Sequence, residues 1–387
     1  MRHVPQVTEI EAFRLSLPLS RRIGTYRRRE HVVLRLVDDR GTVGWGEIDP
    51  GDDVWDAGVC LRLVTAELAP RLLGLDWHRP EELVDPPGPL GPADPAAEIA
   101  ADGPATPWTR CAAGLDIACW DLWCRRHDAP LAHAIGGSRT AIAAGTRVGP
   151  EAGVEILIDR VNQRVRGGYA RVTLEIAPGW DLEPVRAVRH AYPGLVVAVS
   201  GGGRYPGTGE ALAALEAVDA YGPQVIEQPF DIADLAAHAD LQRRVSASVG
   251  LALTELREVD AAARLGAARA LDLRISACGG VTAARRLHDR AHRHGWAVWC
   301  GGGAEFGVGR VASVALASLA ACTLPSDVAG PGQPYARDIV DPAVRATDGM
   351  VPVPIAAPGL GHEVDEDLVR RMSAECVRLP DQPVAAS

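Results

Sequence analysis

From residue 7 the chain alternates apolar and polar positions. VTEIEAFRLSLP is followed by a polar stretch, SRRIGTYRRRE, then HVVLRLVDD, a turn at Arg40–Gly41, and TVGWGEI. A period of two marks strands with one buried face, so residues 7–48 predict a three-stranded meander joined through the polar stretch. Residues 57–85 and 109–127 carry helical patterns. Between them, 86–107 is rich in Pro, Gly and Ala and reads as a long loop. From about residue 140 the pattern changes. Short apolar runs (AIAAGTRV, ARVTLEI, LVVAVS, QVIEQP, VGLALTE, ALDLRIS, WAVWC, and another expected near 320) alternate with amphipathic stretches such as GVEILIDRVNQRVRG and TAARRLHDRAHRHG. Repeated β/α units of this kind predict a parallel barrel rather than an open sheet.

One of these runs carries a polar stripe. In ARVTLEI, Thr173 and Glu175 alternate with Val172, Leu174 and Ile176, so they share one face of an otherwise apolar strand. Barrels of this type place their chemistry at the C-terminal strand ends. Glu175, Ser200, Glu227, Glu255, Arg274 and Cys300 all fall there.

Composition narrows the function. A net charge of −10 argues against nucleic acid and anionic membrane as partners. No apolar run reaches the length of a membrane span, and the first twenty residues alternate without a signal peptide's apolar core, so a cytoplasmic protein is expected. The eight cysteines are scattered without a C-x-x-C pair, which predicts reduced, mostly buried thiols. All 40 basic residues are arginine. The absence of lysine, with the abundance of Arg and Ala, points to a high-GC bacterial genome. It also excludes a lysine base or Schiff base, because a guanidinium does not give up its proton in proteins.

The order and spacing of GWGE at 44–47, LDIACWDL at 115–122, IGG at 135–137, PGWD at 178–181, EQP at 227–229 and WCGGGAEFGVGR at 299–310 resemble the enolase superfamily. The similarity is to its muconate-lactonizing, o-succinylbenzoate-synthase and N-acylamino-acid-racemase branch. The resemblance implies an α/β fold in three parts. An α+β capping domain spans 1–138, a modified (β/α)7β-type TIM barrel spans 139–335, and a C-terminal segment, 336–387, packs back on the capping domain.

The resemblance also implies a site, and this chain departs from it. Thr173 and Glu175 stand where the branch carries K-x-K. Ser200 stands where the first metal carboxylate is expected, and Glu227 retains the second. Ungapped register puts Ala252 at the third; sliding the register would put Glu255 there. Arg274, six residues before Gly280, takes the place of the opposite lysine. Hard cations need several oxygen ligands, so Mg²⁺ is not expected to bind, with Glu227 and Glu255 as the alternative ligands if it does.

Glu175 is then either a catalytic acid/base or the partner of Arg274 in an ion pair across the pocket. Arg274 can also anchor a substrate carboxylate. Thr173 completes the catalytic stripe. Ser200, Glu227, Glu305 and Tyr26 are candidate substrate-binding groups; beside Tyr26, the charge run Arg27–Glu30 reads either as a solvated loop or as a selector of anions. The two glycine runs, 201–203 and 301–303, read as roomy strand ends. His288, His292 and His294 read as surface histidines. The function expected is that of a metal-independent lyase, isomerase or cyclase acting on a small organic acid or acylated amino acid, with no cofactor and in a homo-oligomer. The alternatives are a non-catalytic ligand-binding or scaffold protein, and a Mg²⁺-dependent racemase or o-succinylbenzoate-synthase-like dehydratase with relocated ligands.

Overall fold

The computed structural model describes residues 4, 6–23, 26–51, 56–84, 88–91, 105–303, 305–330 and 335–381. The first three strands, β1 (Val7–Ile23), β2 (Tyr26–Asp38) and β3 (Val43–Ile48), form an antiparallel meander. A C-terminal strand, Ser373–Leu379, adds to the outer edge by pairing antiparallel with β1. The polar stretch expected as a connection is therefore mostly strand. Polar cross-strand bonds carry the extension: Arg28 donates to the Ser16 hydroxyl at 3.0 Å and to its carbonyl at 2.6 Å. Of the long loop expected over 86–107, residues 86–87 and 92–104 lie outside the described residues.

Alternation along the sheet divides its side chains between two cores. Val32, Leu34, Leu36 and Ile48 pack with Leu115 and Cys119 of the helix Pro107–Arg126. Phe13, Leu15, Leu17 and Val33 face the other way, into the apolar core of the barrel. The sheet and the long helix come very close. A Cβ on Gly46 would lie 2.1 Å from the carbonyl oxygen of Gly114, so the second glycine of GWGE is required by backbone packing.

Seven parallel strands follow in sequential order: β5 (Gly145–Val148), β6 (Arg171–Glu175), β7 (Val196–Ser200), β8 (Val225–Glu227), β9 (Ser248–Leu251), β10 (Ala270–Leu273) and β11 (Ala297–Cys300). The run AIAAGTRV holds two strands. Its first part, β4 (Ala141–Ala143), leaves the barrel to pair antiparallel with Met350–Pro352. The eighth stave expected near 320 is the extended segment 324–327. Leu324 N donates to Val298 O at 3.3 Å and Asp327 N to Cys300 O at 2.9 Å, while Gly145 N donates to Ser326 O at 2.8 Å. This segment joins β11 to β5 and closes the curled sheet.

Three acidic side chains from the sequence landmarks fasten the cap, two to the barrel and one to the C-terminal segment. Glu47 accepts from Phe306 N and Gly309 N, both at 2.7 Å, at the N-terminus of the barrel helix Gly307–Ala317. Asp116 accepts from Thr282 N at 2.9 Å and from its hydroxyl at 2.7 Å, at the start of the helix Val281–Arg293. Asp121 ties Trp45 N at 2.9 Å to Leu360 N at 2.7 Å. Each carboxylate satisfies backbone donors that would otherwise be left unpaired. These acidic landmarks are thus structural joints.

The outer helices bury one apolar stripe each. His288 departs from the surface role expected of it. It is buried, with Nε2 accepting from Ala321 N at 3.0 Å and Nδ1 against Asp289 at 2.9 Å. His292 and His294 are exposed. All eight cysteines are free thiols, and only Cys376 is exposed.

Candidate active site

The polar stripe on β6 is one residue longer than Thr173 and Glu175. Arg171, Thr173 and Glu175 share the inward face, while Val172, Leu174 and Ile176 lie in the apolar core behind it. Arg171 is fully buried at the bottom of the barrel, its guanidinium 5.6 Å from the ring centre of Trp299. Trp299 packs there with Ala198, Val225 and Ala270. Thr173 is also fully buried, and its hydroxyl oxygen has no hydrogen-bond partner among the described residues. Glu175 ends the strand half-buried, paired in register with Ser200, and its carboxylate has no hydrogen bond or ion pair to any described residue.

Above the Trp299 layer, six charged groups alternate in sign across the barrel. Arg171 Nη2 lies 3.2 Å from Asp327 Oδ1. The other oxygen of Asp327 receives Arg147 Nε at 3.2 Å. Arg147 Nη2 reaches Glu227 Oε2 at 2.6 Å and Asp327 Oδ2 at 3.1 Å. Glu227 Oε1 faces Arg274 Nη2 at 3.7 Å, and that guanidinium sits 2.8 Å from Asp272 Oδ2. Burial opposes the charge on Arg147, but Glu227 and Asp327 outweigh it and hold its proton more tightly than usual. Asp272 does the same for Arg274 against burial, with help from Glu227. Burial pushes the Glu227 carboxyl up; Arg147 pulls it down, Asp272 adds to the rise, and Arg274 opposes it.

This network decides where several predicted residues stand. Glu227 and Arg274 come together, as neighbours in one chain of charges. The proposed Glu175–Arg274 ion pair does not form. Arg274 is the partner of Asp272, two residues back on its own strand end, and Glu175 is left open. Glu255 does not enter the site. It is the N-cap residue of the helix Leu256–Leu265, in a reciprocal capping box with Glu258, and it pairs with Arg257. Ala252 directly follows β9, its amide held by Gln228 Oε1 at 3.3 Å. Ser200 ends β7, buried. The side chain of Tyr26 lies outside the described residues.

Glu305 belongs to a second polar cluster, on the capping side. Its Oε2 accepts from Gly303 N at 2.9 Å, so it closes its own loop. Burial raises its carboxyl above the usual range, and nearby Asp49 adds to the rise. His31 stands beside it between Glu47 at 2.7 Å and Asp49 at 3.6 Å, stacked on Phe306. Burial opposes protonation of His31, yet Glu47 and Asp49 raise its pKa overall.

Arg147, Asp272, Asp327, Arg171 and His31 were not among the candidates from sequence. Arg171, and Asp272 with Arg274, carried a usable signal. Each is a charge at period two with inward-facing neighbours inside an apolar barrel run. The glycine run at 301–303 is not roomy. A Cβ on Gly301 would lie 2.0 Å from Asp272 Oδ1, and one on Gly302 would lie 1.8 Å from Asp327 O. These glycines let the backbone close over the network.

Comparison with known proteins follows this geometry. Residues 157–368 match the family described as "Enolase C-terminal domain-like", and residues 6–136 match "Mandelate racemase / muconate lactonizing enzyme, N-terminal domain". The chain belongs to the enolase superfamily. It is 35% identical to an N-succinylamino acid racemase of Amycolatopsis sp, over 92% of this chain and 94% of the relative. It is 32% identical to an o-succinylbenzoate synthase of Geobacillus kaustophilus, over 92% of each chain. A solved enolase-superfamily structure from Listeria innocua aligns with TM-score 0.86 at 26% identity, covering 97% of this chain and 99% of that one.

The superfamily implies a divalent metal, and the residues here do not fit one. At the expected ligand positions stand a serine hydroxyl, a carboxylate already shared by two guanidinium groups, and a methyl group. Among the described residues, no group of three or more His, Cys, Asp and Glu could hold an ion. No helix among them is long and apolar enough to cross a membrane.

Proposed function

We propose that this chain is an isomerase, racemase or lyase acting on a small carboxylate of the succinylated kind named by its relatives. The names of those relatives lend more support to racemase or o-succinylbenzoate-synthase chemistry than to a cyclisation. One observation carries the reading: a free carboxylate, Glu175, stands at the strand ends of the barrel that also holds an accessible guanidinium, Arg274. The Arg274 side chain is 47% exposed and uses only Nε and Nη2 on Asp272 and Glu227. Its remaining edge is available to a ligand carboxylate. Glu175 serves as acid/base, with Thr173 below it on the same face and Ser200 beside it.

Removing a proton next to a carboxylate is hard without strong stabilisation of the resulting charge. In this site Arg274 is the group placed to supply it. A second reading has its own support. A general base is usually oriented by a partner, and Glu175 has none among the described residues. That favours a non-catalytic barrel that binds a carboxylate.

The test is proton exchange. N-succinyl amino acids are incubated with the protein in D2O, and the α-proton signal is followed by NMR. Exchange in the wild type that falls by about 10²–10⁴-fold in Glu175→Gln supports the enzyme reading. Exchange that is unchanged in Glu175→Gln refutes the role of Glu175. Calorimetric binding of the same acids without any exchange selects the binding protein.

A further inference from the structure

The charges of the six-membered network balance. Arg171, Arg147 and Arg274 alternate with Asp327, Glu227 and Asp272, three of each sign, and every carboxylate touches at least one guanidinium. Arg147 is the middle cation. It comes from β5, the first stave, and binds Asp327 of the closing stave and Glu227 of β8 across the interior. Its Nη1 carries no hydrogen bond to any described residue, and neither does that of Arg274.

From this we infer that Arg147 is a built-in cation that takes the place of a divalent ion in this barrel. It neutralises Glu227 and, with Arg274, presents N–H donors to an anionic ligand. The role of the ligand rests on the carboxylate reading above; the exclusion of the ion does not.

Three physical arguments support the assignment. A guanidinium stays charged and cannot be chelated away. Its Nη2 occupies the Oε2 side of Glu227 at 2.6 Å, one of the two oxygens an ion could take. Adding a divalent ion to an already balanced cluster would also place two positive charges among three guanidinium groups, in an interior where like charges are poorly screened. Arginine offers what a metal does not, a planar fork matched to a carboxylate. It lacks what a metal gives, direct coordination of the ligand's oxygens. The site is therefore suited to holding a carboxylate more than to strongly polarising it.

The experiment uses the purified full chain and three arms. In the first, free Mn²⁺ is counted by EPR in the presence of wild-type protein. No saturable binding in the millimolar range is expected. One-to-one binding that disappears in Glu227→Gln overturns the proposal. In the second, succinate is titrated calorimetrically in EDTA and then in Mg²⁺. Equal affinity is expected, and tightening by Mg²⁺ of about tenfold or more overturns the proposal. If succinate and N-succinyl amino acids fail to bind in either buffer, the carboxylate reading fails while the Mn²⁺ arm still judges the built-in cation.

The third arm is a gain of function. Arg147→Met leaves Glu227 and Asp327 facing each other without their shared cation. This variant is expected to bind Mn²⁺ and to melt at a higher temperature with it than without. A folded Arg147→Met that neither binds Mn²⁺ nor responds to it overturns the proposal. If the variant does not fold in any buffer, the wild-type Mn²⁺ count decides.

Discussion

Glu227→Gln tests the charge network through stability alone. Glu227 is 4% exposed, and its two contacts differ: Arg147 at 2.6 Å and Arg274 at 3.7 Å. Glutamine preserves the volume and one oxygen for Arg147, so no cavity forms. What is lost is a charge, and the network is left with one excess positive. Outright removal of one partner from a buried ion pair costs about 3–5 kcal/mol. Here neither guanidinium is orphaned, because Arg147 keeps Asp327 and Arg274 keeps Asp272. Arg274 is also 47% exposed, so solvent screens its share.

The expected cost therefore falls to that of one charge-assisted hydrogen bond, about 2–3 kcal/mol. An unfolding entropy of about 2.1 cal/mol/K per residue, over a chain of 387 residues, turns that into a fall in Tm of about 2–4 °C. Glu175→Gln is the control. Its carboxylate is half-buried and has no partner among the described residues, so its change should stay within about 0.5 kcal/mol. Calorimetry on both variants, at one pH and salt concentration, makes the comparison. If Glu227→Gln melts with the wild type, or if Glu175→Gln loses more stability than Glu227→Gln, the interior is not wired as described.

Asp116 gives a prediction in pH. Burial raises its carboxyl to about 7, although Thr282 donates two hydrogen bonds to it. The folded chain then holds this proton more tightly than the unfolded chain does. Its contribution to stability is full below the unfolded carboxylate value of about 3.9 and is lost as pH rises through about 7. Asp116→Asn should gain on the wild type in Tm between pH 5 and pH 8, and a constant difference across that range would refute the assignment. Gly301→Ala should cost about 1–3 kcal/mol, because its methyl would meet Asp272 Oδ1 at 2.0 Å. Unchanged stability in thermal melts would show that the strand end has the room that the sequence first suggested.

The fold was legible because it is written redundantly. Each β/α unit repeats the same change of period, so one misread boundary does not disturb the barrel, and the eighth stave was expected although it forms a single isolated bridge, Ala144 to Ser326. The site is written once per strand, and its meaning depends on which strands face each other. TRV on β5 offers a single charge between a threonine and a valine, and nothing local says that it meets Glu227 and Asp327 across the interior. Asp272 and Arg274 are separated by one residue, yet the reading across the pocket gave Arg274 to Glu175. Proximity along the strand won instead, since a carboxylate two residues away on the same face meets the guanidinium without crossing the barrel.

The same geometry explains what the resemblance could not supply. Matching positions to the superfamily drew attention to Thr173, Glu175, Ser200 and Arg274. It could not show that an arginine on another strand had entered the space. A buried Glu227 needs a counter-charge wherever it comes from. Once that charge is Arg147, the carboxylate that looked like a relic has a present task. It holds two guanidinium groups in place at the ends of the strands, under Glu175, a carboxylate with no partner among the described residues.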